Sequence, residues 1–197
     1  MRKIALGLLL TSAGAVAELK QWRIDPAHSA AHFSVRHMMV SNVRGHFGKI
    51  SGSAAWDPAD LSKASVEVTI DVNSIDTREP KRDAHLKSPD FFDAANHPTM
   101  TFKSRRVERA GEGRLRLIGD LTIRGVTREV VFDVEGPSPE IPGPRGARIG
   151  ATATTRINRK DFGMTWNRTL DAGGLVVGDE VQITVDVELI EVRPSAG

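Results

Sequence analysis

The sequence predicts an all-β protein, a closed antiparallel barrel of about eight strands with a short helical segment at one mouth. Three observations carry that prediction. Strict two-residue alternation of apolar and polar side chains recurs along most of the chain, the mark of strands with one covered and one wet face. The alternating runs are joined mostly by short turns. Long helical periodicity is missing, while glycine (18) and proline (10) are plentiful, a composition that leans away from helix. With 197 residues, 40% of them hydrophobic, the chain suffices for one domain with a sizeable core. A barrel of that size is just wide enough inside for packed side chains or one slender ligand.

Residues 1–17 stand apart from this pattern. Met1-Arg2-Lys3 is basic, residues 4–10 are an apolar run, and Ala15-Val16-Ala17 is a small-x-small site. Together they predict a secretory signal peptide cleaved after Ala17, leaving residues 18–197 as a single domain. The apolar run is too short to span a bilayer stably. There is no cysteine, so neither a disulfide nor a lipid-bearing N-terminal cysteine is available. The expected location is the periplasm or the medium.

The mature chain opens on residues 25–58, read as a long, bent hairpin. Ala31, Phe33, Val35, His37 and Met39 fall on one side of the first strand, and Ala30, His32, Ser34 and Arg36 on the other. Ser41-Asn42 supplies turn chemistry, and Gly45, Gly48 and Gly52 mark bends in the return strand. Residues 63–75 alternate cleanly, with Val66, Val68, Ile70 and Val72 inward. Residues 76–93 lose the period and gather charges and prolines; a helical turn or two beginning near Pro80 is expected to lie across a mouth. Residues 99–107 return to strand, with Met100 and Phe102 inward. Residues 113–124 and 126–135 form a second hairpin about Gly125. The stretch 136–146 is too rich in proline and glycine for regular structure. Residues 148–157 read as a polar strand, 158–178 as a mixed loop, and 180–192 as the closing strand.

Charge narrows the function. Basic residues number 27 and acidic 25, a formal net of +2 with no long one-signed run, which argues against a nucleic-acid surface.

The order Trp22-x-x-Asp25-x-x-His28-Ser29, Phe33-x-Val35-x-His37 and Gly45-x-Phe47 resembles the start of the YceI family of lipocalin-like polyisoprenoid-binding proteins. The match continues through Ile75-x-Thr77, Arg82-Asp83-x-His85-Leu86, Asp90-Phe91-Phe92 and Pro98-x-x-x-Phe102-x-Ser104. It runs on through Gly119-x-Leu121-Thr122-Ile123-x-Gly125-Val126-Thr127, Arg159-x-Asp161-Phe162-Gly163 and Val177-Gly178-Asp179-x-Val181. The resemblance spans Trp22 to Val192. It implies an extended antiparallel barrel whose lipocalin-like cavity holds an isoprenoid chain, in an exported protein without catalytic activity.

The expected cavity wall is Phe33, Val35, Met39, Phe47, Val68, Ile70, Phe92, Met100, Phe102, Leu115, Leu117 and Phe132. Each buried CH₂ of a guest is worth roughly 0.8 kcal/mol, so a five-carbon prenyl unit gives on the order of 3 kcal/mol before ordering costs. Polar head-group candidates are Arg82, Asp83 and His85 in the mouth segment, with Asp25, His28, Ser29 and His37 from the first strand. Trp22, Trp56 and Trp166 suit plugs at the barrel ends. The six histidines match no standard metal spacing, so no metal is expected. Asp25-His28-Ser29 fails as a catalytic triad, because neighbours on a strand point to opposite faces.

The expected function is therefore non-enzymatic binding, transport or sequestration of an isoprenoid lipid, a prenyl quinone or polyprenyl phosphate, with that lipid as ligand and no other cofactor. A second reading is a redox-accessory protein that delivers a quinone to a membrane partner.

Overall fold

In the computed structural model, which describes residues 19–169 and 174–193, the alternating runs close into one antiparallel ring. The expected signal peptide lies outside the described residues. The strands are β1 (Lys20–Ile24), β2 (Ala30–His37), β3 (Ser41–Phe47), β4 (Ile50–Asp57), β5 (Asp60–Asp71), β6 (Ile75–Asp76), β7 (Thr99–Gly111), β8 (Arg114–Ile123), β9 (Val126–Glu135), β10 (Arg148–Asn158) and β11 (Val177–Val192). The ring runs β1-β4-β5-β7-β8-β9-β10-β11 and closes from β11 back to β1, eight staves in all. Strands β2, β3 and β6 prolong the staves begun by β1, β4 and β5: β11 pairs with β1 at Leu189–Val192 and with β2 from Val177 to Asp186. The first two breaks have local causes. Pro26 has no N–H for a ladder, and Asp25 turns the chain there by accepting Ala27 N–H on its carboxylate at 3.1 Å. At the second break, Lys49 N–H leaves the ladder for Ser74 Oγ at 3.1 Å.

One turn lies elsewhere than the sequence suggests. Ser41 and Asn42 belong to β3, and the chain reverses at Met38-Met39, where Val40 N–H donates to His37 C=O at 3.0 Å. Both methionines have positive φ, 50° and 58°, the geometry of a type I′ hairpin turn. Methionine carries no turn signal, and the alternation in the sequence overruns the end of β2 by two residues.

The only α-helix among the described residues is α1 (Pro80–Lys87), with Pro80 at its first position and Glu79 capping Lys81 N–H at 3.2 Å. It lies across one end of the barrel, as expected. The same end collects the Met38-Met39 turn, the Arg124-Gly125 turn and the segment after a 3₁₀ turn at Arg159–Phe162. Met38 N–H donates to Val176 C=O at 2.9 Å, and Arg124 to Gly163 C=O at 2.8 Å. The other end carries the turns at Pro58-Ala59 and residues 111–113, with the 136–147 loop.

Candidate functional site: an apolar lumen

Inward side chains of the strands enclose a cavity of about 370 Å³, near the lower end of the ~300–1,000 Å³ typical of small-molecule sites. Leu86, Phe91, Phe92 and Met164 close its α1 end, and Trp56, Pro58, Leu61, Arg109 and Pro137 ring the other. Every predicted wall residue lies on this cavity except Met39. Met39 sits at the tip of the β2–β3 turn, 66% exposed, because the strand ends before it.

The lumen stays open despite its phenylalanines because two of them lie against glycines. Phe33 faces Gly45 across β2–β3, where a Cβ would come within 2.6 Å of the ring. Phe102 covers Gly119, where a Cβ would approach the ring to 2.7 Å. Edge-to-face contacts of Phe102 with Phe132 (5.3 Å) and Phe47 with Phe92 (5.6 Å) hold these rings upright against the wall. Trp22 is buried beneath Trp56, stacked at 5.1 Å, so Trp56 presents the lumen at one end. Trp166 packs on His85 and Phe91 at the opposite end.

The predicted polar residues do not converge on the lumen. Asp25, His28 and Ser29 sit at the β1–β2 bend on the barrel's outer side. Asp25 bonds His28 Nδ1 at 3.1 Å and accepts Arg148 Nη1 at 2.9 Å, while Ser29 Oγ accepts Glu188 N–H at 3.0 Å. The His28 hydrogen bond, then Ala27 N–H and Arg148, hold the Asp25 carboxyl down at about 2. Arg148 also donates to Glu188, and this pair chiefly raises its own pKa. Asp25, His28 and Glu188 could each offer a metal ligand atom, but the Arg148 guanidinium bonds both carboxylates and takes the place of a cation there.

Arg82 and Asp83 are bound to one buried residue. Arg82 donates to Thr77 Oγ1 and C=O, both at 2.8 Å, and Asp83 accepts Thr77 N–H at 2.9 Å. They staple α1 to the strand before it through Arg82 Nε and Nη2 and one Asp83 oxygen. His85 bonds Asp90 at 2.8 Å, and His37 ends β2 opposite Ser41. Arg82, Asp83 and His85 thus stand on α1 at the mouth, and none of the three lines the cavity.

Among the described residues, the ionisable ones bordering the lumen are His32, Arg109 and Arg159. His32 turns outward toward Asp186, at 3.8 Å. Arg109, opposite Leu115, bonds Pro58 C=O across one mouth. Arg159 is buried at the other, 2% exposed. It donates to Gly178 C=O (2.9 Å), Met164 C=O (2.6 Å), Trp166 C=O (2.9 Å) and Asp179 (3.3 Å). Burial lowers its pKa, partly opposed by Asp179. Sequence reasoning gave Arg159 no role, although it stands in one of the shared motifs. Nothing in its polar neighbourhood separates it from a solvated arginine.

Comparison with known proteins agrees with this architecture. A family model for the YceI-like domain matches residues 22–189. A UPF0312 protein of Vibrio cholerae is 40% identical over 140 residues, 70% of this chain and 73% of the relative. One from Staphylococcus aureus is 34% identical over 171 residues, 86% and 97% of the two chains. Among solved structures, Burkholderia cenocepacia BcnA superposes with a TM-score of 0.72 at 27% identity, covering 84% of this chain and 98% of BcnA. The Campylobacter jejuni YceI protein does so at 0.67 and 28%, covering 98% and 100%. A polyisoprenoid-binding domain from Saccharophagus degradans shares the fold at 0.63 and 17%, covering 87% and 98%. The chain belongs to the YceI family.

Proposed function

We propose that the protein is a non-enzymatic carrier that binds, transports or sequesters an isoprenoid lipid, a prenyl quinone or a polyprenyl phosphate. The observation that carries this reading is the lumen: a cavity of about 370 Å³ walled by aliphatic and aromatic side chains. Polar side chains enter that wall at few points, His32, Ser53, Thr101, Arg109 and Arg159, so it holds a polar substrate poorly, while it solvates a hydrocarbon tail at roughly 0.8 kcal/mol per CH₂. A few prenyl units suffice for micromolar binding, so a long chain need not be wholly enclosed. Met100 and Met164 suit a branched, flexible guest. A barrel of the same fold bears the name polyisoprenoid-binding domain in S. degradans. Residues 1–17 support work outside the cytoplasm. Solvent extraction of protein purified from exporting cells, with mass analysis of the extract, tests the reading. A stoichiometric prenyl lipid is expected. Protein that emerges empty and takes up neither prenyl quinone nor prenyl phosphate contradicts it.

A further inference from the structure

The β2–β3 turn is built from residues that neither its backbone nor its solvent favours. Type I′ turns prefer asparagine and glycine, because positive φ is costly for other side chains. Here both central positions are methionine. Met38, Met39 and Val40 are 41%, 66% and 79% exposed. Leu175, also exposed, stands beside them, since Met38 N–H donates to the adjoining Val176 C=O. The remaining large exposed hydrophobics among the described residues, such as Val131, Ile141 and Val192, are scattered singly.

We infer that this turn is a docking tip for the surface of an anionic phospholipid bilayer. Size separates a bilayer from a protein partner. A stable protein interface takes about 800 Å² from each side, far more than one convex turn provides. Insertion among head groups has no such threshold, and unbranched thioethers adapt to a fluid surface.

Charge points the same way. Arg36 donates to Met39 C=O at 2.8 Å, and Arg44 lies on the neighbouring strand; both are exposed. Among the described residues neither is in an ion pair. The carboxylates nearest in β11 are engaged elsewhere, Asp179 with Arg159 and Lys160, and Glu180 with Arg156. An apolar tip with a cationic collar complements an anionic leaflet. The tip also continues the lumen wall: Val35 and Val177 line the cavity, and His37, next to Met38, pairs with Val177. Docking by this turn sets that end of the barrel on the bilayer.

The inference goes beyond the carrier reading and does not require it. The test is sedimentation with phosphatidylcholine vesicles, with and without phosphatidylglycerol, using protein recovered from exporting cells with its N-terminus fixed by intact mass. The double variant Met39→Asn/Val40→Ser keeps the turn, since asparagine accepts positive φ, and an unchanged thermal midpoint verifies its fold. Wild type should pellet with the anionic vesicles and be released by salt. The double variant should bind about tenfold more weakly or worse, and Arg44→Gln about fivefold more weakly. Absence of pelleting, equal pelleting of the double variant, or equal binding to phosphatidylcholine alone overturns the inference. Lipid content of the same samples is read separately: vesicle binding by protein whose extract is empty leaves docking standing and removes the carrier reading.

Discussion

Phe33 lies across Gly45, its partner in the adjoining strand, so closely that a Cβ at Gly45 would sit 2.6 Å from the ring. The pairing turns a bulky residue into a thin lining and leaves the centre of the barrel unfilled.

Gly45→Ala should therefore act on binding. The atoms it meets are the far end of the Phe33 ring and a methyl of Thr77 at 2.7 Å, and the ring has the lumen to move into. The expected result is about a tenfold loss of prenyl-lipid affinity, worth ~1.4 kcal/mol, with a modest fall in thermal midpoint because the buried Thr77 must also shift. Gly119→Ala should behave oppositely. Its Cβ would meet Lys103 C=O at 2.3 Å, and backbone in a paired strand cannot yield, so a stability loss of about 2 kcal/mol is expected by denaturant titration.

Phe33→Asp should abolish lipid retention while the protein still folds. Phe33 is only half-buried, so an ionised carboxylate there keeps access to water when the lumen is empty. A hydrocarbon guest would strip that water away. Extraction of the purified variant checks this, with circular dichroism confirming the strands.

Arg159→Met should destabilise the protein by about 3 kcal/mol, because it leaves three carbonyls without their shared donor and Asp179 with Lys160 alone. The segment these carbonyls belong to borders the α1 end of the lumen, so lipid exchange should also quicken. Chemical denaturation and stopped-flow exchange read the two effects separately.

Asp25 makes stability depend on acid. Its carboxyl is held at about 2, below the ordinary 3.8, first by His28 and then by Ala27 N–H and Arg148. A lowered native pKa favours the folded state while the carboxylate is ionised. That contribution is complete above about pH 4 and is lost as the pH falls toward 2. Wild type should exceed Asp25→Asn in thermal midpoint at neutral pH, and the gap should close across that window. A gap independent of pH would exclude the ion-pair origin.

The lumen was legible in the sequence because alternation reports which side chains face inward, as at Val68, Ile70, Leu115 and Leu117. The helix over the mouth was legible from Pro80 and the loss of period around it. The Met38-Met39 turn was not, since its positive φ rests on residues without turn preference, and Met39 was placed inside for that reason. The surroundings of the polar residues were not legible, for a different cause. Arg82 and Asp83 look available in sequence, but Thr77, six residues before Asp83, absorbs both. Asp25 and His28 read as part of the first strand, yet they fall in the bend between β1 and β2 that Pro26 imposes. Arg159 shows the converse: its burial depends on carbonyls up to 19 residues away, which no local pattern announces.

The central claim is that the lumen solvates a branched hydrocarbon tail, and the dependence of affinity on tail length tests it most directly. Native mass spectrometry of the purified protein titrated with prenyl alcohols of increasing length gives that dependence. Affinity should rise about tenfold or more with each five-carbon unit until the cavity is filled, and then level off. Affinity that ignores tail length, or no complex at any length, would contradict the account.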